Sequence, residues 1–183
     1  MSDAPPSVVG TDALATMVAM ARNTPPGCFV EVGVYQGGSA WHLARVARER
    51  GCALHLFDTF TGIPHRGPED EEHHVGDFGD ASLESVKAAV PDAIFHVGTF
   101  PESSDGWTPA SIAFVHVDCD QYRGTKAAID VLYLRLVEGG VMLFDDYGET
   151  SGCTKAVNQS FASDQIRRTP QGKAYVVKEL NHA

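Results

Sequence analysis

The chain is short of positive charge: 14 Lys plus Arg face 24 Asp plus Glu, a formal net charge of −10. Phosphate backbones and anionic membrane surfaces both call for basic patches, so neither nucleic acid nor membrane is expected as main partner. The same imbalance leaves room for a cation or a positively charged cofactor. Cysteine is also scarce. Cys28, Cys52, Cys119 and Cys153 form no CxxC pair, and three of them sit in or beside apolar runs. Buried free thiols fit better than a zinc site or a disulfide framework. No apolar run reaches transmembrane length, and "MSDAPPSVVG" lacks the basic-then-apolar profile of a signal peptide. A reduced, cytoplasmic setting is the expectation. Internal repeats, low-complexity stretches and linkers are missing as well. The 183 residues therefore predict one domain, 1–183, large enough to bury a single core without disulfides.

What is present is an alternation of apolar runs with amphipathic stretches. The patterning predicts strands at 28–34, 53–58, 93–98, 112–118 and 141–146. It predicts helices at 39–51, stopped by Gly51, at 82–90, and at 125–140, ended by the paired glycines 139 and 140. A short segment, 1–26, precedes the first strand, and a long polar loop, 59–80, follows the second. The tail reads as a helix in "SGCTKAVNQSFA" and a closing antiparallel pair of "QIRR" with "AYVV". Such alternation implies an α/β fold, a doubly wound, mostly parallel sheet covered on both faces.

Ligands of open parallel sheets collect beyond the carboxyl ends of the strands. Those ends here read "GVYQGGS", "DTFTGIP", "DCDQY" and "DDYGE", which puts Asp58, Asp118, Asp120, Asp145 and Asp146 on one rim. In "EVGVYQGGSA" (31–40) Gly33 allows a sharp exit from the strand, and Gly37 and Gly38 allow close backbone approach. The loop is not GxGxxG, and Glu31 two residues before the first glycine would repel a pyrophosphate. It suits a sulfonium or ammonium instead. Asp58 ends the second strand where an acid accepts from ribose hydroxyls. Together they describe S-adenosylmethionine, although a purely structural turn explains the glycines equally well.

Asp118 and Asp120, at i and i+2, would share one side of a continuing strand about 6–7 Å apart. Asp145 and Asp146 end the strand expected beside it. Such converging carboxylates cannot all stay ionised without a counter-charge, and a hard divalent ion with oxygen ligands, Mg²⁺, Mn²⁺ or Ca²⁺, is the simplest one.

The run "LFDTFTGIP … HVGDF … VGTFPES … HVDCDQYRGTKAAIDVLYLRLVEGGVMLFDDYG … GCTKAV" resembles the macrocin O-methyltransferase family, from Glu31 to about Phe161. These are class I, Rossmann-like, S-adenosylmethionine-dependent enzymes that methylate hydroxyls of sugars and other secondary metabolites. The resemblance implies that Asp118, Asp145 and Asp146 hold Mg²⁺ and that Asp120 is the general base. It further implies that Glu31, Gly33, Tyr35, Gly37, Ser39, Asp58, Thr59 and Asp118 hold the cofactor, with Asp77 and Phe78 of "GDF" near its adenine. The chain departs from the family in two places. Family members usually carry a longer helical segment before the first strand, and Arg123 and Gly124 stand where acidic or hydroxyl side chains are usual. The acceptor, a small hydroxylated molecule, is left unidentified, and a homo-oligomer remains open.

Plainer readings stand beside these. Strand-end acids are commonly caps or solvated loop residues. His116, two residues deeper than Asp118, reads as a satisfied core histidine, or else as a partner for one of the acids. His65, His73 and His74 in "PHRGPEDEEHHVGD" read as solvated, since no ligand spacing closes a site. Two rival functions remain: a DxD metal-dependent glycosyltransferase, and a non-catalytic S-adenosylmethionine-binding or assembly module.

Overall fold

In the computed structural model, residues 4–109 and 111–179 are described. Among them the elements run α1 (Thr11–Arg22), β1 (Cys28–Val32), α2 (Gly38–Arg50), β2 (Leu54–Asp58), α3 (Leu83–Ala89) and β3 (Ile94–Val97). Then follow β4 (Ile112–Val117), α4 (Tyr122–Leu132), β5 (Leu136–Phe144), α5 (Ser151–Ser160), β6 (Arg167–Arg168) and β7 (Ala174–Val177). The sheet order is β3-β2-β1-β4-β5-β7-β6. The first five strands are parallel, and β7 runs antiparallel to both β5 and β6. The expected closing pair is there, with Arg167 opposite Tyr175 and Arg168 opposite Ala174.

Strand β4 is buried along its whole length, which is why it reads as a continuous apolar run rather than an alternating one. Period-2 geometry divides it between two cores. Val115 and Val117 pack with Val30 and Val32 against Ala128, Ile129 and Leu132 of α4 and Cys153 and Val157 of α5. Phe114 packs with Phe29, Leu56 and Leu143 against α1, α2 and α3, where Met17, Leu43 and Val86 face the sheet. The chain leaves β1 toward β2 on one side and returns as β4 on the other, so a crevice opens between the carboxyl ends of β1 and β4.

Three features differ from the sequence reading. Helix α1 was not anticipated within 1–26; Leu14, Met17 and Ala21 form its buried stripe, with Asp12 in the first turn and Arg22 in the last, each suited to the helix dipole. The glycines 139 and 140 do not end a helix. Helix α4 starts earlier, at Tyr122, and stops at Leu132, and both glycines lie inside β5. There β5 spends six residues, Leu136 to Val141, against three of β4, Ile112 to Phe114. Gly139 adopts φ 74° in this bulge, and the pair exchanges hydrogen bonds of 2.8 Å with Lys178. Sheet pairing with both neighbours outweighs local helix preference at this point. Third, β4 ends at Val117, so Asp118 and Asp120 do not sit on a continuing strand. Among the described residues no helix is long and apolar enough to cross a membrane.

Candidate active site

A cavity of about 670 Å³ opens at the carboxyl ends of β1, β2, β4 and β5. Its first wall is the glycine loop. Gly33 turns the chain out of β1 at φ 88°, and a Cβ there would land on the carbonyl oxygen of Asp118. Only glycine permits that approach of β1's exit to β4's exit. Asp58 holds the loop in shape: Oδ2 accepts from the backbone N–H of Val34 (2.6 Å) and of Tyr35 (2.9 Å), and Oδ1 from that of Phe60 (2.7 Å). A carboxylate has about four acceptor sites, so three are taken by the backbone and one remains to face a ligand in the cavity. Thr59 donates its hydroxyl to the Gly62 carbonyl at 2.8 Å. Tyr35 hydrogen-bonds Asp80 and meets Phe78 edge-on, with ring centroids 5.4 Å apart.

Of the residues expected around a cofactor, Gly33, Tyr35, Asp58, Thr59, Phe78 and Asp118 line the cavity. The others stand behind its wall. Gly37 packs at the start of α2 against Val86, and Ser39 is buried in the first turn of α2. Asp77 accepts from the His74 N–H at 2.8 Å and so shapes the loop. Glu31 is fully buried and faces His116, with Oε1 2.8 Å from Nδ1.

The second wall is acidic. Asp118, Asp145 and Asp146 each offer an oxygen within 4.8 Å of the others. Asp120, at φ 60°, turns back over this trio: its N–H donates to Asp146 Oδ2 at 2.8 Å, and its carbonyl accepts from the Thr150 hydroxyl at 2.7 Å. Burial, and then the Asp118 charge, push the Asp120 carboxyl up to about 7. Burial together with neighbouring carboxylates pushes Asp118 and Asp146 well above the usual range. Asp145 goes the other way. Burial alone would raise it, but His116 and Lys173 outweigh burial and hold it below its ordinary value. Lys173 donates to Asp145 Oδ2 at 3.0 Å and to Glu149 at 2.7 Å. Three acids are thus driven toward protonation for want of positive charge. The converging oxygens of Asp118, Asp145 and Asp146 form a donor set that fits a hard divalent cation and suits zinc poorly.

The 59–80 loop closes the third side. Asp70, nearly buried, accepts from the Tyr122 N–H at the start of α4 (2.7 Å) and from the Gly67 N–H (2.9 Å). The Gln121 amide reaches the His65 carbonyl, and Ser151 binds Glu69 and Glu72. Pinned in this way, the loop carries His73 inward, with Nε2 3.3 Å from Asp120 Oδ1, while His74 stays exposed. His73 is therefore not the solvated residue the sequence suggested. Asp70 and Lys173 carry no sequence signal as site residues, and His73 reads as solvated, because none sits at a diagnostic spacing. The nearest signal was the length of the loop itself. Gly124 lets α4 pass over Cys119, whose Sγ a Cβ would meet at 2.9 Å.

Residues 9–171 match the model of the macrocin-O-methyltransferase family. A curated relative from Streptomyces olivaceus, 8-demethyl-8-(2,3-dimethoxy-alpha-L-rhamnosyl)-tetracenomycin-C 4'-O-methyltransferase, is 29% identical over 189 residues, covering 85% of this chain and 72% of its own. Demethyldecarbamoylnovobiocin O-methyltransferase from Streptomyces niveus is 27% identical over 164 residues, covering 79% of this chain and 62% of its own. Among solved structures, the O-methyltransferase NovP superposes with a TM-score of 0.78 at 21% identity, covering 95% of this chain and 82% of its own. An SAH-bound methyltransferase from Podospora anserina superposes at 0.65 with 13% identity, covering 94% and 80% respectively. Fold, motif order and family match agree: the chain belongs to the macrocin O-methyltransferase family of enzymes.

Proposed function

We propose that this protein transfers a methyl group from S-adenosylmethionine to a hydroxyl of a small molecule, a sugar or other secondary metabolite, with the help of Mg²⁺. The carrying observation is that one cavity joins the glycine loop to Asp118, Asp145 and Asp146, with Asp120 poised above them. When bound, the cofactor supplies an electrophilic methyl on positive sulfur, and the cation lowers the pKa of a coordinated hydroxyl. Asp118, Asp145 and Asp146 would hold the cation. Gly33, Tyr35, Asp58, Thr59, Phe78 and Asp118 would contact the cofactor, and Gly37, Ser39 and Asp77 would support its loops from behind, while Glu31 is turned to His116 instead.

A free hydroxyl is a weak nucleophile at neutral pH. Asp120 takes its proton at a carboxylate oxygen as the hydroxyl oxygen bonds to the methyl carbon. Without a cation, burial and the Asp118 charge raise this carboxyl; a bound cation would offset the Asp118 charge and leave Asp120 ionised, able to accept the proton. The rest of the wall aligns donor and acceptor and excludes water. The family match weighs against the nucleotide-sugar alternative, as does the Glu31 carboxylate behind the glycine loop. Four acids brought together on one wall of the cavity favour catalysis over a binding module.

The test is a split in behaviour. Asp120→Asn should bind S-adenosylmethionine and Mg²⁺ with near-native affinity in calorimetry while methyl transfer to a panel of hydroxylated glycosides collapses. Asp145→Ala should lose Mg²⁺ and keep the cofactor. Equal loss of both ligands in both variants would sink the assignment.

A further inference from the structure

Glu31 and His116 are charge-bearing residues in the middle of the sheet, both fully buried, and the chemistry above uses neither. Their register is informative. Glu31 on β1 pairs with His116 on β4, and His116 pairs with Leu143 on β5, two residues before Asp145. Side chains two apart on a strand share a face; Asp145 is one residue past β5, but its N–H still donates to the Val117 carbonyl at 2.9 Å, which carries the alternation one step on and brings Glu31, His116 and Asp145 to one face across three adjacent strands. The imidazole bridges them, with Nδ1 2.8 Å from Glu31 Oε1 and Nε2 3.7 Å from Asp145 Oδ1. Nε2 is buried without a hydrogen-bond partner, as is Glu31 Oε2. An unsatisfied polar atom in such a place is unfavourable, and the acceptor facing Nε2 is the Asp145 carboxylate.

From this geometry we infer that His116 is a positioning residue for Asp145, and that Glu31 acts on the metal-ligand set by orienting His116 rather than by touching the cofactor. The carboxylate–imidazole–carboxylate row fixes the ring at one end so that the other end steers a single oxygen of Asp145. Lys173 restrains the second oxygen from the opposite side, at 3.0 Å. Asp145 is thereby held toward Asp118 and Asp146 before any cation arrives, and less ordering remains to be done on binding. Glu31 does not line the cavity, and its charge also reaches Asp118 through space; a direct contribution of that kind would add to the loss of His116 in the double variant, whereas one relayed by the imidazole would not.

This inference rests on the metal reading above, and its test separates the two. Mn²⁺ binding, followed by electron paramagnetic resonance as a stand-in for Mg²⁺, is measured for the wild-type protein, Glu31→Gln, His116→Gln and the double variant. SAH binding is measured in parallel by calorimetry. Each single variant is expected to weaken Mn²⁺ by about 10–100-fold, the usual worth of a group that orients a ligand. The double variant should be no worse than either single one, because the residues act as one unit, and SAH affinity should stay within about threefold of the wild-type value, since the row lies behind the cavity wall. If the wild-type protein takes up no Mn²⁺, both readings fall together. If it does and both variants match it, or if Glu31→Gln loses SAH instead, this inference alone falls. Should the variants fail to fold, the unaltered protein decides: the ¹⁵N resonances of His116 must move when Mg²⁺ is added, and their constancy overturns the proposal.

Discussion

The two halves of the cavity rim use the same residue type in opposite ways. On the glycine-loop side, Asp58 spends its carboxylate on three backbone N–H groups within 2.6–2.9 Å, and so builds the loop. On the far side, Asp118, Asp120 and Asp146 crowd together, and burial plus mutual repulsion drive all three toward protonation. An aspartate at a strand end is architecture when the backbone satisfies it. It is available for chemistry when the backbone does not. The sequence places both kinds at the same topological position, and only their surroundings tell them apart.

The sharpest way to break this comparison is to remove one carboxylate charge on each side. Asp120→Asn keeps shape and loses the base, so kcat is expected to fall by roughly two to four orders of magnitude with melting temperature and SAH affinity little changed. Asp58→Ala should do the reverse. It strands three N–H groups of the loop, and unfolding titrations should show a loss of about 1–3 kcal/mol, together with weakened SAH binding. A stable Asp58→Ala protein with native cofactor affinity would erase the distinction.

A milder test uses pH. The folded Asp120 carboxyl lies at about 7 against an ordinary 3.8, and Asp118 and Asp146 shift in the same direction. A group whose pKa is raised by folding stabilises the fold while it is protonated and loses that contribution as pH climbs through the raised value. Metal-free protein should therefore melt at progressively lower temperature from about pH 4 to about pH 7, and saturating Mg²⁺ should flatten the trend. Asp145, shifted downward, opposes it only at the acid end. A flat profile without Mg²⁺ would mean the acids are not short of counter-charge. The smallest expected effect belongs to His73. Its contact with Asp120 at 3.3 Å is partly exposed, so His73→Gln should change kcat by no more than about 1 kcal/mol, roughly fivefold. A larger loss would move His73 into the acid half of the rim as a working partner of the base.

Much of this site could be read from residues in order. The rim acids announce themselves because each follows a short, mostly apolar run that alternates with amphipathic stretches, and strand ends of a parallel sheet converge. Helix α1 was harder, since its stripe of Leu14, Met17 and Ala21 lies in a segment with few flanking signals. The bulge at glycines 139 and 140 is illegible for a different reason: glycines after a helical pattern normally mark a stop, and only their hydrogen bonds with Lys178, between the β4-paired Leu136 and Val141, make them part of a strand. His73, Asp70 and Lys173 lay beyond any local pattern, because their partners are 28 to 52 residues distant at Asp145 and Tyr122, or across the cavity at Asp120.

By itself, then, the sequence determined the alternation of strands and helices, the family, and the four acids that gather at one edge, because periodicity and strand-end position are local properties of a chain. Only the tertiary structure decided what each charge does. Whether a carboxylate is spent on backbone donors, repelled by its neighbours, or held by an imidazole on the adjacent strand depends on distances across the sheet, and electrostatic energy is set by those distances and by burial, not by order along the chain.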